Sequence, residues 1–292
     1  MLKIPEISFV VTSFNYEKYI TDTLESIKAQ TYKNFEIIVV DDCSQDNSVQ
    51  AIERFIQDNQ DLKITLIKND KNIGQMGSMI RGLKEARGQF VSFIDSDDVL
   101  LPEYAAQHIR VHLETSIAFT SCQIAEIGDE NEIHTFCSNS SPHCKNLETL
   151  FAGEKPNYKI LKHKRFGGWY WSPNSSAMYR KASIEFILNY KNAEQWKICP
   201  DKFLFNFAHL IGGSAIIYTP LVAYRRHKNN AGKSTLVTGN KRLHSDKTTK
   251  QNIKNNIKIR PETINFLWDI RHSIGIRNAV LLILKVLISY FI

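Results

Sequence analysis

The sequence predicts an α/β fold: a mostly parallel sheet with helices on both faces. Three observations point to it. The first hundred residues alternate short apolar runs with helix-periodic segments. The apolar runs are nearly continuous, as strands buried on both faces are. The links between runs are short, and strand–helix–strand repetition of this kind lays neighbouring strands parallel.

Taken in order, Ile7-Ser8-Phe9-Val10-Val11 is the first strand, followed by Ile20, Leu24 and Ile27 at helical spacing. Phe35 to Val40 is the second strand and runs into Asp41-Asp42. Ser44-Gln45-Asp46-Asn47-Ser48 supplies turn and N-cap residues. Val49, Ile52, Phe55 and Ile56 then mark a helix face. Ile64 to Ile67 is the third strand, Met79 to Ala86 a helix body, and Phe90 to Ile94 the fourth strand, which runs into Asp95-Ser96-Asp97-Asp98. The stretch from Ser121 to Arg165 is rich in Ser, Asn, Glu and Lys and predicts loops and short elements. A helix is expected from Lys181 to Tyr190. Phe203, Phe207 and Leu210 form a helical stripe after Asp201, and Ala215–Tyr218 and Val222–Tyr224 read as two short strands. Residues 241–260 are polar and basic, the pattern of a linker or exposed helix.

Composition narrows the function classes. Of 292 residues, 43% are hydrophobic and 23% charged, which excludes disordered, collagen-like and polytopic membrane proteins. Five cysteines without a Cys-x-x-Cys pair argue against a disulfide scaffold and a structural zinc site, and predict a reducing compartment. Met1 to Glu6 is too short and polar for a secretory leader. The net charge of +7 is uneven: from Arg225 onward 14 Lys/Arg face 3 Asp/Glu, a balance of +11, against −4 for the rest. A near-neutral body with a basic tail suggests an anionic partner, membrane surface or nucleic acid.

Ligands of such sheets bind beyond the carboxyl ends of the strands, where two carboxylate groups lie here. Three carboxylates in Asp95-Ser96-Asp97-Asp98 repel one another; a divalent cation would relieve the repulsion, and so would a solvated turn with a helix N-cap. Of Asp41-Asp42, one side chain is expected to cap the turn, leaving the other for a base or ribose or for the same turn. Asn72-Ile73-Gly74-Gln75-Met76-Gly77 permits close backbone approach to a ligand, but it is neither a Walker loop nor a Gly-x-Gly-x-x-Gly fingerprint. Trp169 and Trp171 offer faces for the C–H surfaces of a sugar, or pack in the core. His108 and His112, four apart without a Glu beside His108, predict a surface helix.

Together, Ser8-Phe9-Val10-Val11-Thr12-Ser13-Phe14-Asn15, Ile38-Val39-Val40-Asp41-Asp42-Cys43-Ser44, Asn72-Ile73-Gly74 and Phe93-Ile94-Asp95-Ser96-Asp97-Asp98 resemble the ordered signature of family 2 glycosyltransferases with the GT-A fold. The resemblance is strong over residues 5–105 and weaker beyond, through Pro200-Asp201 and Tyr224-Arg225-Arg226-His227. It implies inverting transfer from a nucleotide-sugar, usually UDP-linked, to a glycan or lipid-linked acceptor, with Mn²⁺ or Mg²⁺ as cofactor. By position, Thr12 and Phe14 line the base and ribose pocket, with Asn72 and Gly74 in the same donor site. Asp42 contacts the uracil, Asp95 lies on the ribose side, Asp97 ligates the metal, and His227 reaches the metal or diphosphate. Asp201 is the general base, and Trp169 and Trp171 are the acceptor candidates. Met79-Ile80 stands where many members carry Arg-Asn, and Pro200 where an acidic residue often precedes the downstream Asp.

The resulting organisation is a catalytic domain over residues 1–235, with a nucleotide-sugar half (1–105) and an acceptor half (106–235). A basic linker and apolar C-terminal helix fill 236–292. Ile274 to Ile292 is apolar apart from Arg277 and Lys285, which suits a helix lying in the membrane interface better than one spanning it, with a helix packed on the catalytic domain as the alternative. The expected location is cytoplasmic, peripheral on the cytoplasmic face of the membrane, with no nucleic-acid partner. A nucleotidyltransferase would show a Gly-rich basic loop after the first strand, where Thr12 to Tyr16 stands. A non-catalytic nucleic-acid binder would show a recognition motif in the tail.

Overall fold

The computed structural model describes residues 4–129, 131, 133–136, 157–161, 171, 173–193, 196, 200–227 and 261–288. Four parallel strands, β1 (Ile7–Ser13), β2 (Phe35–Asp41), β3 (Ile64–Lys68) and β4 (Phe90–Asp95), stand in the order β3-β2-β1-β4. They alternate with α1 (Ile20–Lys28), α2 (Ser48–Asp58) and α3 (Gly74–Glu85). Successive side chains of β1 point to opposite faces. Phe9 and Val11 pack with Ile20, Leu24, Ile52 and Phe55 from α1 and α2, and Val10 packs with Met76, Met79 and Leu83 from α3. Gly82 lets α3 approach the sheet, because a Cβ there would lie 2.3 Å from the Val10 side chain.

After β5 (Val99–Leu100) and α4 (Tyr104–Glu114) the sheet becomes mixed. It continues as β4-β9-β6-β10-β5, with β6 (Phe119–Ile127), β9 (Ala177–Arg180) and β10 (Ser214–Arg225). Strand β9 runs antiparallel between β4 and β6, while β6 and β10 are parallel. Short β7 (Ile133–Phe136) and β8 (Tyr158–Leu161) pair with β6 and β10. The expected GT-A architecture is the one found.

Several expected boundaries shift. The third helix begins at Gly74, five residues before Met79. Lys181 to Tyr190 is not one helix but α5 (Lys181–Ile184) followed by a 3-10 turn, Glu185–Asn189. The two short strands after Gly213 are one, β10, whose pairing with β6 shifts register on both sides of Pro220. Proline has no N–H to give the ladder, so the strand bulges there and resumes. His108 and His112 are buried, not on a surface face. His108 Nδ1 lies 2.6 Å from Thr120 Oγ1, and His112 Nε2 lies 3.0 Å from the Met178 carbonyl. Burial holds both rings well below the usual histidine range, with His112 pushed down to about 3.

Helix α6 (Asp201–Gly212) lies against the Val10 face of the sheet through Phe203, Leu204, Phe205 and Phe207. The C-terminal segment forms α7 (261–269), α8 (Arg271–Ile274) and α9 (Ile276–Ile288). Part of what composition marked as an appendage is core: Phe266, Leu267 and Ile270 are buried beside α6. The Phe266 ring centroid lies 5.1 Å from those of Tyr190 and Phe207. Residues 241–260, expected as a linker, lie outside the described residues. Among the described residues no helix is long and apolar enough to cross a membrane.

Candidate active site

The parallel pairing brings three strand ends to one edge. Thr12 sits between Val40 of β2 and Asp95 of β4, and Ser13 stands opposite Asp41. Beyond this edge the chain leaves each strand in a loop rich in acceptors. Phe14 follows Ser13 and is 41% exposed.

The two carboxylates ending β2 serve the chain itself. Asp41 accepts from the Ser44 amide at 2.9 Å and the Ser44 hydroxyl at 2.5 Å, which closes the turn into α2. Asp42 accepts from Asn69 Nδ2, Ile73 N and Gly74 N, each at 2.8 Å. Gly74 has φ +80, a backbone region costly for other residues, and α3 begins there. Asn72 Nδ2 lies 3.4 Å from the Asp42 carbonyl. Asp42 is thus a buried fastener of the 69–74 loop, besides being the residue that the resemblance sets against the uracil.

The carboxylates after β4 face different partners. Asp95 Oδ1 accepts from Gln75 Nε2 at 2.7 Å and Asn174 Nδ2 at 3.0 Å. Burial, and next the charge of Asp97, push the Asp95 carboxyl up to about 7. Asp97 Oδ2 lies 2.9 Å from His227 Nε2, across 130 residues of sequence. The Tyr16 hydroxyl also hydrogen-bonds Asp97, and burial raises its pKa well above the ordinary tyrosine value. The Tyr16 and Tyr19 rings flank the imidazole, with centroids 5.7 and 4.8 Å away. Asp98 accepts from the Arg225 amide at 3.1 Å. Burial and the neighbouring carboxylates raise its pKa well above the usual range.

Arg225, the last residue of β10, holds this loop in place. Its side chain is fully buried. Nε donates to the Asp97 carbonyl at 2.9 Å, the terminal nitrogens to Asn131 Oδ1 at 2.7 Å and Asp22 Oδ2 at 3.2 Å, and the guanidinium lies 4.9 Å from the Tyr19 ring centre. Sequence reasoning missed this residue because it reads as the first charge of a basic tail; its place two residues before His227 was the available signal. Gln75, in the 72–77 loop, and Asn174, in the run after Trp171, stand in segments the sequence marks for ligands, but their contact with Asp95 carried no signal. Tyr16 carried no separate signal.

Asp201 opens α6 after Pro200, which fits a helix start because proline has no N–H to leave unpaired. Its Oδ1 accepts from the Lys202 amide at 2.9 Å. Burial pushes its carboxyl up to about 6, and its charge acts on Asp95, which places the two within one electrostatic site. Trp171 does not join them. It is buried, donates from Nε1 to Ser214 Oγ at 3.0 Å, and packs against Phe119, Phe205 and His209. The acceptor-facing expectation for Trp171 is corrected to core packing, since no ring face is left open. Trp169 lies outside the described residues.

The residues present fit a divalent cation. A carboxylate oxygen, Asp97 Oδ2, and an imidazole nitrogen, His227 Nε2, meet 2.9 Å apart and are both donor types such an ion takes. No cluster of three or more His, Cys, Asp or Glu suited to a metal occurs among the described residues. A cation here would thus draw its remaining ligands from water and phosphate, the habit of Mg²⁺ bound beside a diphosphate.

Known proteins resemble this chain in sequence and in fold. The model of glycosyl transferase family 2 matches residues 8–188. EpsH of Bacillus subtilis is 30% identical over 229 residues, covering 77% of this chain and 62% of its own length. The Escherichia coli enzyme WfgD, a UDP-Glc:alpha-D-GlcNAc-diphosphoundecaprenol beta-1,3-glucosyltransferase, is 34% identical over 113 residues, covering 39% of this chain and 43% of its own. The chain thus spans less than two thirds of either relative. Among solved structures, Staphylococcus aureus TarS 1–349 superposes with a TM-score of 0.60 at 17% identity, covering 98% of this chain and 72% of that one. A family match over more than half the chain, laid on this fold, identifies the protein as a member of glycosyl transferase family 2.

Proposed function

We propose that the protein is an inverting glycosyltransferase that moves a sugar from a UDP-linked donor to a hydroxyl of a glycan or lipid-linked acceptor in cell-surface polysaccharide synthesis. The observation that carries this reading is the Asp97–His227 pair, 2.9 Å apart at the edge where β1 and β4 end. The relatives support it: WfgD is named for a UDP-Glc donor and a diphosphoundecaprenol-linked acceptor, and TarS 1–349 has been solved with UDP-GlcNAc.

Thr12 and Phe14 line the pocket for base and ribose, Asn72 and Gly74 shape its floor, and Asp95 faces the ribose. Asp97 and His227 would hold Mn²⁺ or Mg²⁺, which would supply positive charge for the departing diphosphate. Asp201 takes the proton from the acceptor hydroxyl as its oxygen bonds the anomeric carbon. The bond from that carbon to the diphosphate oxygen breaks, and its electron pair leaves with the nucleoside diphosphate. Attack opposite the leaving group inverts the anomeric centre. A base needs a pKa near the working pH, and Asp201 at about 6 is placed for that. Trp169 remains the aromatic acceptor candidate. The protein works on the cytoplasmic side, peripheral to the membrane, where an undecaprenol-type acceptor is reached.

The test is titration of UDP into the protein with and without Mn²⁺. Wild type binds more tightly with metal, and Asp97→Ala abolishes the metal-dependent gain. Near-normal transfer by Asp97→Ala in the presence of metal contradicts the assignment.

A further inference from the structure

Helix α9 is apolar on two sides, and only one of them is covered. Ala279 and Val286 are buried against the body of the protein. On the other side Ile276, Val280, Leu284 and Leu287 follow one another at helical spacing, each 40–54% exposed, and Leu281 and Ile288 widen the stripe. Single exposed apolar residues are ordinary; a contiguous stripe of six marks a surface that meets something.

We propose that this face docks on an anionic membrane surface and holds the catalytic cleft against a lipid-linked acceptor. This rests on the reading of the cleft as a transferase with such an acceptor. The charge around the stripe selects the occupant. The charged residues of α9 are both cations, Arg277 and Lys285, and by sequence residues 228–260 hold nine Lys/Arg against one Asp, an excess that draws this end toward anionic headgroups. Arg277 projects from the exposed side of α9, where a long aliphatic stem can lie along acyl chains while the guanidinium reaches phosphate. Trp268 is half-exposed with the Arg271 guanidinium 4.7 Å from its ring centre, a pairing of flat aromatic and cation suited to the headgroup layer. In a symmetric pair of these helices each Arg277 would be set against the apolar stripe of its mate, with no acidic residue on α9 to meet it, so a second copy suits this face less well. Thirteen residues of helix reach about 20 Å, short of the ~30 Å hydrocarbon core, so α9 lies along the surface.

The same segment is bolted to the catalytic base. Glu262 accepts from Tyr190 Oη and Asn192 Nδ2, each at 3.0 Å. Phe266 packs against Tyr190 and against Phe203 and Phe207 of α6, whose first residue is Asp201. Docking of α9 therefore fixes the height of Asp201 above the lipid surface.

The experiment is co-sedimentation of the full chain with vesicles of phosphatidylcholine alone and of phosphatidylcholine with phosphatidylglycerol. Wild type and the double variant Val280→Glu/Leu284→Glu are compared, with size-exclusion chromatography and circular dichroism alongside. Wild type should bind the anionic vesicles, keep part of that binding in high salt, and bind phosphatidylcholine far less. The variant should bind roughly tenfold or more weakly, with unchanged helix content and unchanged Mn²⁺-dependent UDP binding. Wild type that ignores anionic vesicles, or a variant that binds them equally well, overturns the proposal. A dimer that the variant dissociates, without vesicle binding, also overturns it and assigns the face to a second copy. Vesicle binding that persists in a protein unable to bind UDP would sink the transferase reading and leave the surface standing.

Discussion

Asp201→Asn replaces one proton acceptor while keeping the shape of the side chain. Burial pushes the wild-type carboxyl up to about 6, so about ten in eleven molecules carry the ionised form at pH 7 and about one in eleven at pH 5. A general base works only when ionised. Wild-type turnover at saturating donor and acceptor should therefore rise with pH and differ about tenfold between pH 5 and pH 7. An unburied aspartate of pKa near 3.9 would lose only about a tenth of its activity over that range. Asp201→Asn should lower turnover by about 10²–10⁴ at pH 7, the usual span for a positioned base, and leave UDP affinity within about twofold. Burial pushes Asp95 up to about 7 as well, but the proposal sets it on the ribose side of the donor, so its ionisation should fall on donor KM and not on turnover at saturation. The assay is steady-state release of nucleoside diphosphate across pH 5–8 in wild type and variant. A flat wild-type turnover profile, or a variant that loses donor binding while turning over normally at saturation, refutes the base role.

Three further outcomes follow from the packing. Asp42→Ala strips three donors of their acceptor, so it should destabilise the fold by about 2–4 kcal/mol in urea and weaken all nucleotides alike; a loss confined to uridine nucleotides at unchanged stability would assign it the base-reading role. His108 and His112 are buried neutral, with folded pKa values below the unfolded value of about 6.5, so the unfolded chain alone takes up protons as pH falls. Stability should drop between pH 7 and pH 5 by about 2 kcal/mol per histidine, and His112→Gln should flatten part of that slope in denaturant titrations; a wild-type profile without the drop refutes the neutral state. Phe266→Ala should cost about 3–5 kcal/mol and lower turnover through α6, whereas an unchanged urea midpoint would show that the C-terminal helices do not brace the body.

The parallel half of the fold was legible because its strands are continuous apolar runs, and their carboxyl ends are marked by Asp41-Asp42 and by Asp95 to Asp98. Where local pattern and tertiary context part, the reading failed. Pro220 split β10 in the sequence, but the strand passes over it as a bulge. Strand β9 is too short to announce that it runs antiparallel. Asp97 and His227 were legible as a pair only through the family resemblance, since nothing local links residues 130 apart. Arg225 was hidden by its charge: a cation at the head of a basic stretch reads as solvated, and only the fold shows it enclosed by the acceptors of three elements. Of the two carboxylates in Asp41-Asp42, both turned out to serve loops, because helix starts and strand ends demand acceptors as strongly as ligands do. Trp171 went to the core for the same reason that aromatic runs usually do, the large area they bury.

The claim that the strand-end carboxylates serve a nucleotide-sugar is tested most directly by release of free nucleoside diphosphate from a panel of nucleotide-sugars, with and without Mn²⁺. The account predicts slow release from one UDP-sugar, dependent on Mn²⁺ or Mg²⁺ and abolished in Asp97→Ala. Release from no nucleotide-sugar in the panel, with no metal-dependent binding of UDP, would contradict it.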